Sequence, residues 1–235
     1  MTTSAPDTSN PLRDLRTKLW SEPENKQLSS IESAIAMGEA GLELLTEFLL
    51  AHPQPTCATG KAYQALLAAN SAKTNEFLQR HLPEGVVPLR SAQNIDYAPL
   101  QKLLAQQYFQ AADQMTLHKL CELAGADAVQ RRWLYFTEID RLPKLDLQTI
   151  NTLWLVYSEG RFGFSVQRDL WISVGKNWER LWSQIGWKSG NNWTRYPQEF
   201  TWNLSAPKGH LPLSNQLRGV RVINALLNHA VWSEG

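Results

Sequence analysis

The sequence predicts an all-α protein of two unlike regions, and three observations carry that reading. Apolar residues recur at spacings of three and four along most of the chain. Alternating apolar and polar residues, the mark of a half-buried strand, are absent over any useful length. Glycine, proline, serine and aspartate fall at the ends of the periodic stretches, where helices start and stop. The expected architecture is an N-terminal helical bundle over residues 1–88, its first ten or so residues a solvated tail, and an all-helical core domain with long aromatic loops over 89–235.

In LSSIESAIAMGEAGLELLTEFL, Leu28, Ile31 and Ile35 form one stripe. Leu42, Leu45, Phe48 and Leu49 form another after a turn assigned to Gly38 and Gly41. A second pair, around Tyr63–Leu67 and Phe77–Leu82, follows the break at His52–Pro53–Gln54–Pro55. Such hairpins resemble repeats of the HEAT or armadillo type, and nothing in them marks a catalytic constellation. The stretch PEGVVPLRSAQNIDYAP, residues 83–99, is then the linker.

Beyond it, DYAPLQKLLAQQYFQAADQMTLHKLCELAG reads as two helices, the second turning Phe109, Ala112, Leu117, Leu120 and Ala124 inward. Asp146 is the expected N-cap of LQTINTLWLVYSEG, with Leu147, Ile150, Leu153 and Tyr157 on one face and Gly160 as the stop. Ser165 is expected to begin a long helix carrying Leu170, Val174, Trp178, Leu181 and Ile185, broken or bent at Gly175. Ser214 is expected to cap a last helix with Leu217, Val220, Ile223 and Leu227 buried.

Composition narrows the function. A net charge of +1 gives no global attraction to nucleic acid or anionic membrane. The two cysteines, Cys57 and Cys121, lack metal-ligand or disulfide-framework spacing. No apolar run approaches the roughly 18 residues of a spanning helix, and the start lacks the pattern of a secretory signal or transit peptide. The expectation is a soluble, cytoplasmic protein.

Catalytic signatures are sparse. Glu138, Asp140 and Asp146 in FTEIDRLPKLDLQ are the best carboxylate cluster, but a helix end before Pro143 commonly collects charge. His210 in the GHLP turn suits a general base or an axial metal ligand, though a histidine there more often satisfies the turn's backbone. No nucleophile elbow, zinc-binding helix, phosphate loop or dinucleotide fingerprint occurs.

The aromatics are more telling. Nine of the ten tryptophans lie between Trp133 and Trp232. Trp171, Trp178 and Trp182 sit at helical spacing and read as core. The loop GWKSGNNWTRYPQEFTWNL instead holds Trp187, Trp193, Tyr196, Phe200 and Trp202 among turn-forming residues. From Gly186 to Arg221 five basic residues (Lys188, Arg195, Lys208, Arg218, Arg221) stand against one acid, Glu199. Aromatic faces bind planar rings, and guanidinium groups pair with carboxylates. Arg218 and Arg221 are helix neighbours, with Asn215 one turn earlier, near the end that favours anions. Single-stranded nucleic acid would call for an extended basic groove, and sugar platforms for more carboxylates and amides. A compact dianionic macrocycle fits best, held by loop rings that the protein's own core leaves unburied.

Several long motifs carry a family resemblance: DYAPLQKLL, LCELAG, WLYFTEIDRLPKLDLQTINTLWLVYSEGRFGFSVQ and IGWKSGNNWTRYPQEFTWNLSAPKGHLPLSNQLRG. From about Ser91 to Trp232 the chain resembles the genomes-uncoupled-four proteins, porphyrin-binding activators of magnesium chelatase in oxygenic phototrophs. The N-terminal bundle without a plastid transit peptide is similar to the cyanobacterial form. The resemblance implies a cupped all-helical core that holds protoporphyrin IX or Mg-protoporphyrin IX, with no obligatory cofactor. It implies a role in chlorophyll biosynthesis as a non-catalytic activator whose partner is the large H subunit of magnesium chelatase. It further implies a monomer with no nucleic-acid partner and at most peripheral membrane association. The binding residues it implies are Phe136, Ile139, Trp193, Arg195, Tyr196, Phe200, Asn215, Arg218 and Arg221. Some relatives carry Trp where this chain has Tyr196. For a ligand's magnesium, His210, Asn215 and a water all remain candidate axial ligands. The competing class is a helical protein-interaction scaffold using the aromatic loop as a partner hot spot.

Overall fold

The structure is a computed structural model that describes residues 11–213 and 220–233. Its elements are helices and one short hairpin, and the chain divides into two units, Met1–Val86 and Val87–Gly235.

The first unit contains α1 (Pro11–Ser21), α2 (Glu24–Ala36), α3 (Glu39–Ala51), α4 (Cys57–Ala69) and α5 (Ala72–His81). Leu19, Ile31, Ala34, Leu45 and Leu66 are fully enclosed, with Phe48 beside them. The stripe on α2 runs through Ile31 and Ala34, and Ile35 is 43% exposed. The reason is a close approach of α2 and α3. A Cβ on Gly41 would stand 1.7 Å from the Ala34 carbonyl oxygen, so Gly41 is a packing residue inside α3. The turn belongs to Gly38, whose φ is +65°. Thr56 and Ser71 begin α4 and α5 with reciprocal caps to Thr59 and Thr74.

The second unit contains α6 (Ala98–Ala105), α7 (Phe109–Ala124), α8 (Ala126–Arg131), α9 (Phe136–Ile139), α10 (Lys144–Tyr157), α11 (Phe164–Ser173) and α12 (Trp178–Gln184). The hairpin β1 (Lys188–Ser189) and β2 (Asn192–Trp193) follows, then α13 (Arg221–Asn228) and a closing 3-10 turn, Ala230–Ser233. Two-residue strands carry too few side chains for an alternating pattern, which is why sequence periodicity misses the hairpin.

Helix α10 is the axis of this unit: Leu147, Ile150, Leu153, Trp154 and Tyr157 are fully buried. Its polar atoms are matched. Trp154 Nε1 donates to Thr116 Oγ1 at 2.9 Å, and the Tyr157 hydroxyl donates to Gln101 Oε1 at 2.9 Å. Asp146 is not the cap of α10, which starts two residues earlier after Pro143. Its buried carboxylate instead accepts from Ser91 Oγ, the Ala92 N–H and the Tyr97 hydroxyl, pinning residues 91–97 to the helix. Helix α11 likewise starts at Phe164, after Gly163 with φ +135°. The expected long helix is two helices, separated at Gly175 (φ +70°) and restarted by the Asn177 side chain, which accepts the Arg180 N–H. The expected cap Ser214 lies outside the described residues.

Candidate functional site

Two of the five rings of the aromatic loop, Trp187 and Phe200, are folded inward, contrary to the expectation that these rings stay clear of the core. Trp187 is fully buried and donates through Nε1 to the His210 carbonyl at 2.8 Å. Phe200 is 5% exposed, 4.8 Å from the His210 ring and 5.6 Å from Trp202. A flat ring in a Gly- and Asn-rich segment still gains about 2–3 kcal/mol by burial, and the α11–α12 side supplies a partner surface. There Trp171, Trp178, Trp182 and Trp187 stack face to face, with successive centroids 4.7, 5.2 and 5.4 Å apart. Trp193 leans on Trp182 at 5.9 Å yet remains 46% exposed, with the Lys188 ammonium 5.4 Å from its ring.

His210 holds the loop together. Its Nδ1 lies 2.6 Å from the Ile185 carbonyl, and the Thr201 N–H donates to Nε2 at 3.2 Å. Both nitrogens are committed to backbone, which leaves His210 without a lone pair for a metal or a substrate proton. Burial lowers its pKa below the usual imidazole value.

Tyr196 is the loop ring that faces a cavity of about 820 Å³. Its hydroxyl interacts with the Asp113 carboxylate and the Gln114 amide, both on α7. Apolar walls come from Leu117 and Val129 on α7 and α8 and from Leu213 beyond the loop. Gln130, Arg132, His118 and Cys121 complete the lining. Burial pushes the Cys121 thiol up to about 11, so it lines the cavity as a neutral group. Asp113 accepts the Leu213 N–H at 2.6 Å, and burial pushes its carboxyl up to about 7.

Phe136 and Arg221 meet at a second place. The Arg221 guanidinium carbon lies 5.5 Å from the Phe136 ring, which is 41% exposed. The turn that presents Phe136 is braced by Glu138. That carboxylate takes Arg131 at 2.7 and 2.9 Å and the Tyr135 N–H at 2.8 Å. Arg131 in turn covers the rings of Trp133 and Tyr135. Glu138 is therefore structural, and Asp146 is buried elsewhere, so the carboxylate cluster of the sequence does not assemble. Among the described residues no group of acids, histidines and cysteines could hold a metal.

The expected binding residues are thus distributed unevenly. Phe136 and Arg221 are in contact, and Tyr196 touches Phe200 at 5.7 Å. Trp193 and Arg195 are exposed, the latter with its side chain 85% accessible beside Glu199. Ile139 and Phe200 are buried by their own neighbours. Asn215 and Arg218 lie outside the described residues. Sequence reasoning passed over Asp113, Gln114 and Arg132. The available signal was an acid, Asp113, set directly beside the inward Ala112 in an amphipathic helix.

Comparison with known proteins agrees across both units. A family model described as GUN4-like matches residues 90–230, and one described as an ARM-like repeat domain, GUN4-N terminal, matches residues 3–83. A Ycf53-like protein of Synechocystis sp. is 52% identical over 229 residues, covering 96% of this chain and 98% of that protein. The chloroplastic tetrapyrrole-binding protein of Arabidopsis thaliana is 36% identical over 143 residues, covering 57% of this chain and 54% of that protein. The structure of GUN4 from Chlamydomonas reinhardtii superposes with a TM-score of 0.59 at 37% identity, covering 63% of this chain and 95% of that one.

Proposed function

Since the chain belongs to the GUN4-like family, we propose that it is a non-catalytic tetrapyrrole carrier that binds protoporphyrin IX and Mg-protoporphyrin IX and stimulates magnesium chelatase through its large H subunit. The observation that carries this reading is the cavity beside Tyr196. Its volume of about 820 Å³ falls within the roughly 300–1,000 Å³ of small-molecule sites. Leu117, Val129 and Leu213 offer apolar walls, and the Tyr196 ring offers a flat face. Phe136 with Arg221, together with Trp193 and Arg195, supplies exposed rings and cations to the same ligand chemistry. The name of the Arabidopsis relative supports the ligand class.

A macrocycle burying roughly 300 Å² of apolar surface gains on the order of 7 kcal/mol. Association costs consume much of that, so carboxylate–arginine contacts decide whether binding is weak or useful. The protein acts as a cytoplasmic monomer with at most peripheral membrane contact. No helix among the described residues is long and apolar enough to cross a membrane.

The test is quenching of tryptophan fluorescence by a soluble porphyrin dianion and by its uncharged ester. Saturable quenching, stronger with the dianion, supports the reading. Adding the protein to magnesium chelatase at limiting magnesium then raises the metallation rate. A scaffold reading is favoured by one observation, the exposure of Tyr135 (48%), Phe136 (41%) and Trp193 (46%). Absence of porphyrin uptake by the isolated protein would put that reading first.

A further inference from the structure

The cavity beside Tyr196 is electrically one-sided. Asp113, on α7, is only 4% exposed and engaged by the Leu213 N–H and the Tyr196 hydroxyl. Arg132 lines the same cavity from the end of α8 and is exposed to solvent. The cavity thus draws one lining residue from the buried interior, the acid, and one from the exposed surface, the arginine.

Arg132 is held in place by its backbone. It closes α8 in the left-handed conformation, φ 61° and ψ 31°, with its N–H shared by the Ala128 and Val129 carbonyls at 2.8 and 3.2 Å. A non-glycine residue at positive φ is uncommon. The neighbouring Arg131 has its guanidinium occupied by Glu138, Trp133 and Tyr135. Arg132 differs: among the described residues no carboxylate or ring is paired with it. The other cationic candidate in the lining, His118, is already 2.9 Å from Glu122. Among the described residues, one guanidinium without a carboxylate or ring partner thus lines the same cavity as one buried carboxyl.

We propose that Arg132 binds a carboxylate of the tetrapyrrole and, with Asp113 opposing it, dictates that the acidic edge of the macrocycle stays at the open side while the neutral edge goes in. This inference rests on the tetrapyrrole reading and adds the orientation of the ligand. Guanidinium and carboxylate match as a planar fork, whereas a lysine offers a point charge. A carboxylate pressed against Asp113 shares a poorly solvated place with a second acid, so the two cannot both stay ionised and the reversed pose is penalised.

The experiment titrates protoporphyrin IX and its dimethyl ester against the full chain and three variants, Arg132→Gln, Arg132→Lys and Asp113→Asn, with circular dichroism confirming the fold. Expected is a roughly tenfold weaker dicarboxylate in Arg132→Gln, about 1.4 kcal/mol, with the ester unchanged and partial recovery in Arg132→Lys. Asp113→Asn is expected to leave the affinity for both ligands within about twofold while weakening the dependence of the dicarboxylate on Arg132 in the double variant. An equal loss of both ligands in Arg132→Gln, or no loss of either, overturns the proposal while leaving tetrapyrrole binding in place. Failure of the unsubstituted chain to take up either ligand overturns the tetrapyrrole reading and this inference with it.

Discussion

Asp113 on α7 accepts the backbone N–H of Leu213, one hundred residues later, at 2.6 Å, and the same carboxyl receives the Tyr196 hydroxyl. One buried acid therefore ties the cavity's helical wall to the aromatic loop and to the chain that follows it. Desolvation opposes its charge more than those two hydrogen bonds favour it, which raises its pKa from 3.8 to about 7.

The sign of the resulting pH dependence follows from proton uptake. Between pH 3.8 and about 7 the folded chain holds a proton on Asp113 that the unfolded chain has lost, so stability falls as pH rises through that window. At full ionisation the cost is on the order of 4 kcal/mol. Asp113→Asn keeps the acceptor and removes the charge. Urea unfolding at pH 5 and pH 8 is expected to show the variant gaining more stability on the parent at the higher pH. A constant difference at both would show that Asp113 stays ionised throughout.

His210 works in the opposite direction. Its neutral ring is fully used, and protonation would turn Nε2 toward the Thr201 N–H, donor against donor. A pKa lowered from 6.5 by folding means the contribution is present above that value and lost as pH falls below it. Replacing His210 by Gln should cost about 2 kcal/mol at pH 8, from two disrupted buried hydrogen bonds. It should also reduce the acid-side loss, to which His229, lowered by burial in the same direction, contributes as well. Chemical denaturation at pH 8, 6 and 5 measures both; an unchanged acid limb would remove His210 as its source.

Phe136 and Trp187 separate binding from folding. Phe136 is 41% exposed on a braced turn, while Trp187 is fully enclosed. Phe136→Ala is expected to weaken porphyrin uptake with little change in melting temperature. Trp187→Ala should destabilise by about 3–5 kcal/mol. Loss of fold in the Phe136 variant would place that ring in the core.

The α2–α3 contact offers an independent check on the first unit. Gly41→Ala forces a methyl group against the Ala34 carbonyl, 1.7 Å away if nothing moved. The backbone cannot yield as a side chain could, so a loss of about 2–3 kcal/mol is expected. Porphyrin affinity, seated in the second unit, should be unaffected. Thermal unfolding followed beside ligand titration tests both statements, and a parallel loss of affinity would show that the units depend on each other.

Helical periodicity made most of the fold legible, because amphipathic stripes such as Leu147–Ile150–Leu153–Tyr157 depend on local spacing alone. Boundaries were less legible. Asp146 has a good capping side chain, but three donors from residues 91–97 compete for it and win. The aromatic loop was recognisable as unusual, yet its sequence could not say that Trp187 and Phe200 face inward. That depends on the stacked surface of Trp171, Trp178 and Trp182, built by helices that end before the loop begins. Asp113 and Arg132 escaped notice for a similar reason. Each looks like an ordinary helix residue until α7 and α8 are folded around a common space.

The row of parallel indoles also has an optical consequence. Four rings within van der Waals reach behave as one coupled absorber. Excitation taken up at Trp171 is shared along the row to Trp187, whose plane lies only 7° from that of Trp182. Light emitted by this domain therefore belongs to no single residue. A quencher arriving near either end dims the whole row; deleting Trp171 shortens it, whereas deleting Trp178 or Trp182 splits it.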